Sequence, residues 1–221
     1  MTLIGNDVVD LIEKENIAKH KDRRFIDRIF TLNEKTNIFN YSCPNTMLWA
    51  LWAGKEAAYK VEKKLSPEVH FVPRAYAVGL SEHPWGKSKL PIMGECFAGK
   101  VKTPKRYIDI EILATSDFIH CLGVVKTAKS SSVDWGIDNI YQNPRLTDDC
   151  ALNIARKVAG EKLAAHLNCD SKRIEIRREQ KVNDLGPPLV YFDGKVAEID
   201  ISLSHDGRFV AYAFANFNFK N

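Results

Sequence analysis

Three groups of residues stand out by type and spacing. In Trp52-Ala53-Gly54-Lys55-Glu56-Ala57-Ala58-Tyr59-Lys60, Glu56 and Lys60 are four residues apart and share one face of a helix. As a surface ion pair they would add only about 0.2 to 0.5 kcal/mol to that helix. Trp52 falls on the same face one turn earlier, where an aromatic ring is wasted on water, and this argues for a functional face. Asp7 and Asp10 flank Val8 and Val9 near the end of an apolar segment. Two readings stand for them: turn and cap duty, or a site for a hard cation such as Mg²⁺, which takes one or two carboxylates together with phosphate oxygens and waters.

The third group, Ser202-Leu203-Ser204-His205-Asp206-Gly207, holds the residue types of a hydrolase triad. A strand sends adjacent side chains to opposite faces, so Ser204 and His205 diverge, and no G-x-S-x-G elbow accompanies them. His205 instead shares a face with Ile199, Ile201 and Leu203. It reads either as a buried histidine at a strand end or as an anion contact at a hairpin mouth. Neither a G-x-x-x-x-G-K-[ST] loop nor a G-x-G-x-x-G turn occurs, so any phosphate site must be built from side chains. Basic runs at 19–28, 100–106 and 172–181 read mainly as solvated faces.

These residues need elements to hold them. Leu3 to Val9 reads as a short strand that runs into a loop at its Gly-Asn-Asp turn signal. Charge-dense residues 14–28 lead into an apolar helical face at Phe25, Ile26, Ile29 and Phe30, and Thr31 with Glu34 forms a capping box for a further short helix. The spacing of Met47, Leu48, Leu51, Trp52, Ala53, Ala57 and Ala58 predicts a helix over 46–64, capped by Asn45 or Thr46 and stopped before Pro67. Strands are predicted at 69–72, 75–80, 96–101, 107–113 and 118–125. After them, a Ser-, Asp- and Asn-rich stretch reads as a linker at 130–146. A helix at 148–167 follows, then strands at 173–178, 189–192, 196–203 and 208–215, with hairpin turns at Asp193-Gly194 and Asp206-Gly207 and an antiparallel meander at the end. The helix-then-strands order recurs, which suggests an internal duplication. The fold class expected is α+β, two similar helix-plus-antiparallel-sheet halves forming a pseudo-twofold dimer within one chain, divided as 1–129, the linker 130–146, and 147–221.

The chain has 221 residues, 45% apolar and 27% charged, which excludes disordered and collagen-like classes. A net charge of +4 falls short of a dedicated nucleic-acid binder and fits an enzyme that handles anions. No apolar run is long enough to span a bilayer, and the polar N-terminal residues do not read as a signal peptide, so no membrane and a cytoplasmic setting are expected. The five cysteines form no C-x-x-C pair and read as reduced thiols.

Taken together, Ile4-Gly5-Asn6-Asp7, Phe30-Thr31-Leu32-Asn33-Glu34, the string from Trp52 to Lys60, and Ser202 to Gly207 resemble the signatures of the 4′-phosphopantetheinyl transferases. Their order is similar to that of the short, trimeric holo-acyl-carrier-protein synthases, whose subunits are about half this length. The chain looks like a duplicated, permuted version of these, with 151–167 reminiscent of the helix that carries Glu56. The resemblance implies transfer of the phosphopantetheinyl arm of coenzyme A to a serine of an apo acyl or peptidyl carrier protein, with Mg²⁺, by a monomer. It also implies that Asp7 and Glu56 hold the metal, that Glu56 and Lys60 are catalytic, and that Ser204 and His205 contact coenzyme A, with Asp10 or water completing the metal shell. Two positions depart from the family pattern: Val9 stands where a second acid is common, and Pro187 where a phosphate-contacting lysine is common, for which Arg177, Arg178 or Lys181 could substitute. A non-catalytic module that binds carrier proteins is the alternative, and another Mg²⁺-dependent phosphate-ester enzyme a weaker third.

Overall fold

The computed structural model describes residues 2–81, 94–126, 132–140, 148–181 and 184–216. Strand β1 (Thr2–Asp10) runs straight through the expected turn and pairs antiparallel along its whole length with β5 (Phe118–Lys126). Gly5 serves approach here, not turning. It lies opposite Gly123 in the register, and a Cβ at Gly5 would collide with the Ala57 carbonyl oxygen. The two glycines thus let a helix lie directly on the strand pair.

That helix is α3 (Pro44–Leu65), preceded by α1 (Arg23–Ile29) and α2 (Leu32–Asn40). The capping box of Thr31 and Glu34 forms as the sequence predicts. The cap of α3 differs: Cys43 is the N-cap, with Pro44 in the first turn, and the Asn45 side chain instead donates to the Asn16 carbonyl at 3.0 Å. No strand forms at 69–72, because Phe71 turns into an aromatic cluster with Trp52, Tyr59 and Tyr76. The chain then adds β2 (Ala77–Leu80), β3 (Glu95–Lys102) and β4 (Tyr107–Ala114), giving a five-stranded antiparallel sheet of order β1-β5-β4-β3-β2. The main core lies between this sheet and the helices.

Residues 133–139, expected within the linker, form β6 (Val133–Asn139). Val133, Trp135 and Ile137 alternate along it and pack onto the first sheet, an apolar period hidden among Ser, Asp and Asn. The rest of that stretch, 130–131 and 141–147, lies outside the described residues. Next come α4 (Asp148–Leu167), β7 (Ile174–Lys181), β8 (Asp184–Phe192), β9 (Lys195–Val196), β10 (Ile199–Asp206) and β11 (Phe209–Asn216). The expected single meander is two sheets, β7-β8-β9 and β10-β11-β6. The strand expected at 196–203 is split between them. Both predicted hairpins form; Asp193 and Gly194 take left-handed backbone conformations, as does Gly207. The architecture is α+β with antiparallel sheets.

The sheet containing β10 and β11 covers the face of the first sheet opposite α3. Val8, Leu113 and Phe118 meet Phe209 and Ala211, and Ile4 and Leu122 meet Ala213 and Ala215. His120, 2% exposed, stacks on Trp135 across this interface with ring centroids 4.7 Å apart. Along the outer edge of β1, side chains of β10 accept where a strand's carbonyls would: the N–H groups of Ile4, Asn6 and Asp10 donate to Asp200 Oδ2, Ser202 Oγ and Asp206 Oδ2, at 2.7, 2.9 and 2.8 Å. No helix among the described residues is long and apolar enough to cross a membrane.

Candidate active site

Four residues at helical spacing on α3, Trp52, Glu56, Lys60 and Lys64, form a stripe toward β1 and β10. The surface ion pair that Glu56 and Lys60 could make does not form. Lys60 Nζ donates to Asp7 Oδ1 at 2.9 Å and to the Asn6 carbonyl at 2.7 Å, because the glycine contact brings α3 within reach of β1. One turn on, Lys64 Nζ donates to the carbonyls of Ile4 and Ile201 and to Asp200 Oδ2 at 2.6, 2.8 and 2.8 Å, bridging the first half to the second. Lys55, one residue before Glu56 and off this stripe, is fully buried against Glu34 at 2.7 Å and the Tyr76 carbonyl at 2.6 Å. Glu34 also accepts from the Thr31 and Val78 N–H groups, so this motif pair ties α2, α3 and β2 together and is structural.

Asp7, Glu56 and Trp52 open onto a cleft of about 260 Å³, which Asn16, Phe25, Trp49, His205 and Asp206 also line. Burial pushes the Glu56 carboxyl up to about 7, with the charge of Asp7 adding to the shift and Lys60 opposing it. Burial likewise raises Asp7, against the pull of Lys60 and His205. One wall is aromatic: the Phe25 ring lies 5.8 Å from Trp52 and 6.0 Å from Trp49, and Trp49 Nε1 donates to the Asn16 carbonyl at 2.9 Å. Trp52 is half-buried in this wall.

His205, at the end of β10, faces the cleft, so its anion-contact reading is the one the geometry favours. Ser204 does not line the cleft; it is buried, and its hydroxyl has no hydrogen-bond partner. Asp10 is fully engaged elsewhere. Arg208 grips both its oxygens, Nε to Oδ2 and Nη2 to Oδ1, each at 2.8 Å, while the Arg208 N–H also donates to Oδ2 at 2.9 Å. Burial alone would raise the Asp10 carboxyl, but these bonds hold it below the ordinary aspartate range. A Cβ at Gly207 would come 2.6 Å from Asp10 Oδ2, so the hairpin tip needs glycine to close this clamp.

The structure therefore brings Asp7, Glu56, Lys60 and His205 together and leaves Ser204 aside. Among the described residues no three acids, histidines or cysteines are arranged to hold a metal; Asp7 and Glu56 are the two acids that residues 1–129 place on the cleft. The comparison with known families bears on these first-half residues. Residues 3–88 match the 4′-phosphopantetheinyl transferase superfamily. That range contains Asp7, Glu56 and Lys60, whereas Ser204 and His205 lie beyond it, and the match supports phosphopantetheinyl transfer as the chemistry. No curated protein matches the chain.

Sequence reasoning missed Lys64, Asp200 and Asn16, and read Asp206 only as part of the Ser202–Gly207 motif and its hairpin turn. Lys64 was legible as the next step of the stripe, and Asp200 as a charge inside an apolar strand. Asn16 had no signal, since its partners Trp49 and Asp206 are remote in sequence.

Proposed function

We propose that this protein transfers the 4′-phosphopantetheinyl group of coenzyme A to a serine of an apo acyl or peptidyl carrier protein, in the cytoplasm and as a monomer. The observation that carries the reading is the meeting of Asp7, Glu56 and His205 on the lining of one cleft, with Lys60 bonded to Asp7 behind it and Asp7, Glu56 and Lys60 inside the matched segment. The serine oxygen attacks the phosphorus that bears the pantetheine arm. The bond from that phosphorus to the bridging oxygen of the pyrophosphate breaks, and adenosine 3′,5′-bisphosphate leaves with the electron pair.

Such a step needs little covalent help and much charge neutralisation. A buried carboxylate, Asp7, and a half-buried one, Glu56, on the same cleft suit a divalent cation of the Mg²⁺ type, which takes one or two carboxylates and fills its shell with water and phosphate oxygens. When bound, the cation would neutralise the pyrophosphate. Asp10 is spent on Arg208, so water, not Asp10, is the third donor proposed. Lys60, already donating to Asp7, serves as a fixed positive charge for the phosphate oxygens, and Glu56 on the cleft wall receives the serine proton. His205 contacts a coenzyme A phosphate from the second half, so the ligand spans the boundary between residues 1–129 and the later part of the chain.

The test is incubation with coenzyme A, Mg²⁺ and a panel of apo carrier proteins, read by intact mass. One added phosphopantetheinyl group on a carrier serine is expected. Retained carrier binding with no addition on any carrier would favour the binding module instead. Light scattering should give a monomer, since both sides of the cleft come from one chain; a stable trimer would contradict that.

A further inference from the structure

Asn16, 8% exposed in the loop after β1, joins three walls of the cleft. Its carbonyl accepts from Trp49 Nε1 at 2.9 Å and Asn45 Nδ2 at 3.0 Å, both on α3. Its own Nδ2 donates to the Asp10 carbonyl at 2.9 Å and to Asp206 Oδ2 at 2.7 Å. Both amide hydrogens are thereby used, one on the first half and one on the second. Asp206 takes its only other hydrogen bond on the same oxygen, from the Asp10 N–H, and Oδ1 accepts none among the described residues. Its carboxyl is thus pinned by one oxygen on the wall that it shares with Asp7 and Glu56. Asp7 is close enough to be among the charges that, after burial, raise the Asp206 carboxyl.

We propose that Asn16 is a positioning residue that holds Asp206 on the cleft wall, so that a carboxylate from the second half strengthens the negative field binding a divalent cation at Asp7 and Glu56. The proposal rests on the cation reading of those two acids. Asp206 acts through space and is not a ligand, in keeping with the absence of any three-donor group among the described residues. A cleft lined by one sign of charge and walled by low-dielectric side chains concentrates the opposite ion. Without Asn16, the Asp206 side chain keeps a single tether and can rotate toward solvent, where water screens its charge.

The experiment measures Mn²⁺ affinity of the purified chain by electron paramagnetic resonance of the free ion, without coenzyme A. The variants are Asn16→Ala, Asp206→Asn, both together, and Glu56→Gln, each checked for folding by thermal melting. Each of the first two should weaken Mn²⁺ by about five- to tenfold, the scale of one partly screened charge. The double variant should bind no worse than Asp206→Asn alone, because Asn16 works only through that carboxylate. In steady-state transfer, the Mg²⁺ requirement should rise while kcat at saturating Mg²⁺ holds. Additive losses in the double variant would overturn the role of Asn16. Unchanged Mn²⁺ affinity in Asp206→Asn, with Glu56→Gln abolishing it, would overturn the proposal and spare the cation site; Mn²⁺ binding indifferent to Glu56→Gln would overturn the site itself. Should Asn16→Ala fail to fold, Asp206→Asn decides alone, since the new amide oxygen still accepts both hydrogen bonds.

Discussion

Residues 2–126 and residues 133–216 place their long helices differently. In each, the first strand pairs antiparallel with the last, β1 with β5 and β6 with β11, and a long helix lies between them in sequence. What differs is where the helix sits and what it carries. In the first half, facing glycines at 5 and 123 admit α3 onto the strand pair. In the second, Gly136 faces Tyr212, whose ring fills the space a Cβ would take, and α4 packs instead on β7, β10 and β11. The buried face of α3 includes Lys55 and Glu62, with Glu56, Lys60 and Lys64 beside them, whereas α4 buries Ala151, Ala155, Ala159, Leu163 and Ala164. A helix close enough to exchange hydrogen bonds with a strand can carry ionic groups, because their partners are within reach. The helix held off by a ring buries an apolar face and leaves its charges outside. The chemistry therefore gathers on one half, and the other contributes the end of a hairpin.

The sharpest break in this asymmetry is at the acids. Glu56→Gln or Asp7→Ala should lower transfer by at least about a hundredfold, the usual loss when a preorganised charge is removed from a transferring group, with the melting temperature little changed. Near-normal activity of Glu56→Gln at limiting Mg²⁺ would remove the basis for the site. Next is the glycine contact. Gly5→Ala should cost about 3 kcal/mol or more in urea unfolding by forcing α3 from β1, while Gly160→Ala on α4, where a Cβ meets nothing within 4 Å, should stabilise by about 0.5 to 1 kcal/mol.

A third prediction concerns the interface between the halves. Burial, with Lys60 adding to it, lowers His120 to about 3. The unfolded chain binds that proton from about pH 6.5 downward and the folded chain does not, so this contribution to stability is intact above pH 6.5 and is lost as pH falls toward 3. About 2 kcal/mol should go between pH 6.5 and 5, and His120→Phe should flatten that part of the profile; an unaltered slope would mean that another group sets it. The smallest effect is expected at His205. His205→Ala should raise the KM for coenzyme A about tenfold with kcat kept, as suits a contact made equally in ground and transition states. A fall in kcat at constant KM would put His205 in the reacting machinery and narrow the difference between the halves.

Much of this was legible where a period runs undisturbed. The apolar spacing of α3 and the ends of α4 read directly, as did the capping box at Thr31. Gly5 misled because glycine has two uses, reversal and close approach, and only the helix above it tells which applies. The strand at 133–139 was masked by its polar flanks. At the site, the residue types at 7, 56 and 60 pointed correctly to one place, but the partner of Lys60 depended on a strand about fifty residues away. Strand alternation separated Ser204 from His205, as the cleft does. Nothing local could mark Asn16, and Asp206 read only as a turn and motif residue, because the bond that joins them crosses 190 residues.

The side-chain ladder from β1 to β10 has a constant offset of 196 residues, and this sets an order on biosynthesis. A ribosome that has made a residue of β1 must add 196 more before its partner among Asp200, Ser202 and Asp206 is made to cover that edge. Until then the N–H groups of Ile4, Asn6 and Asp10 form an open margin able to recruit any passing strand. The edge of β1 is therefore open to wrong pairing throughout that interval, and the arrival of β10 is what seals it.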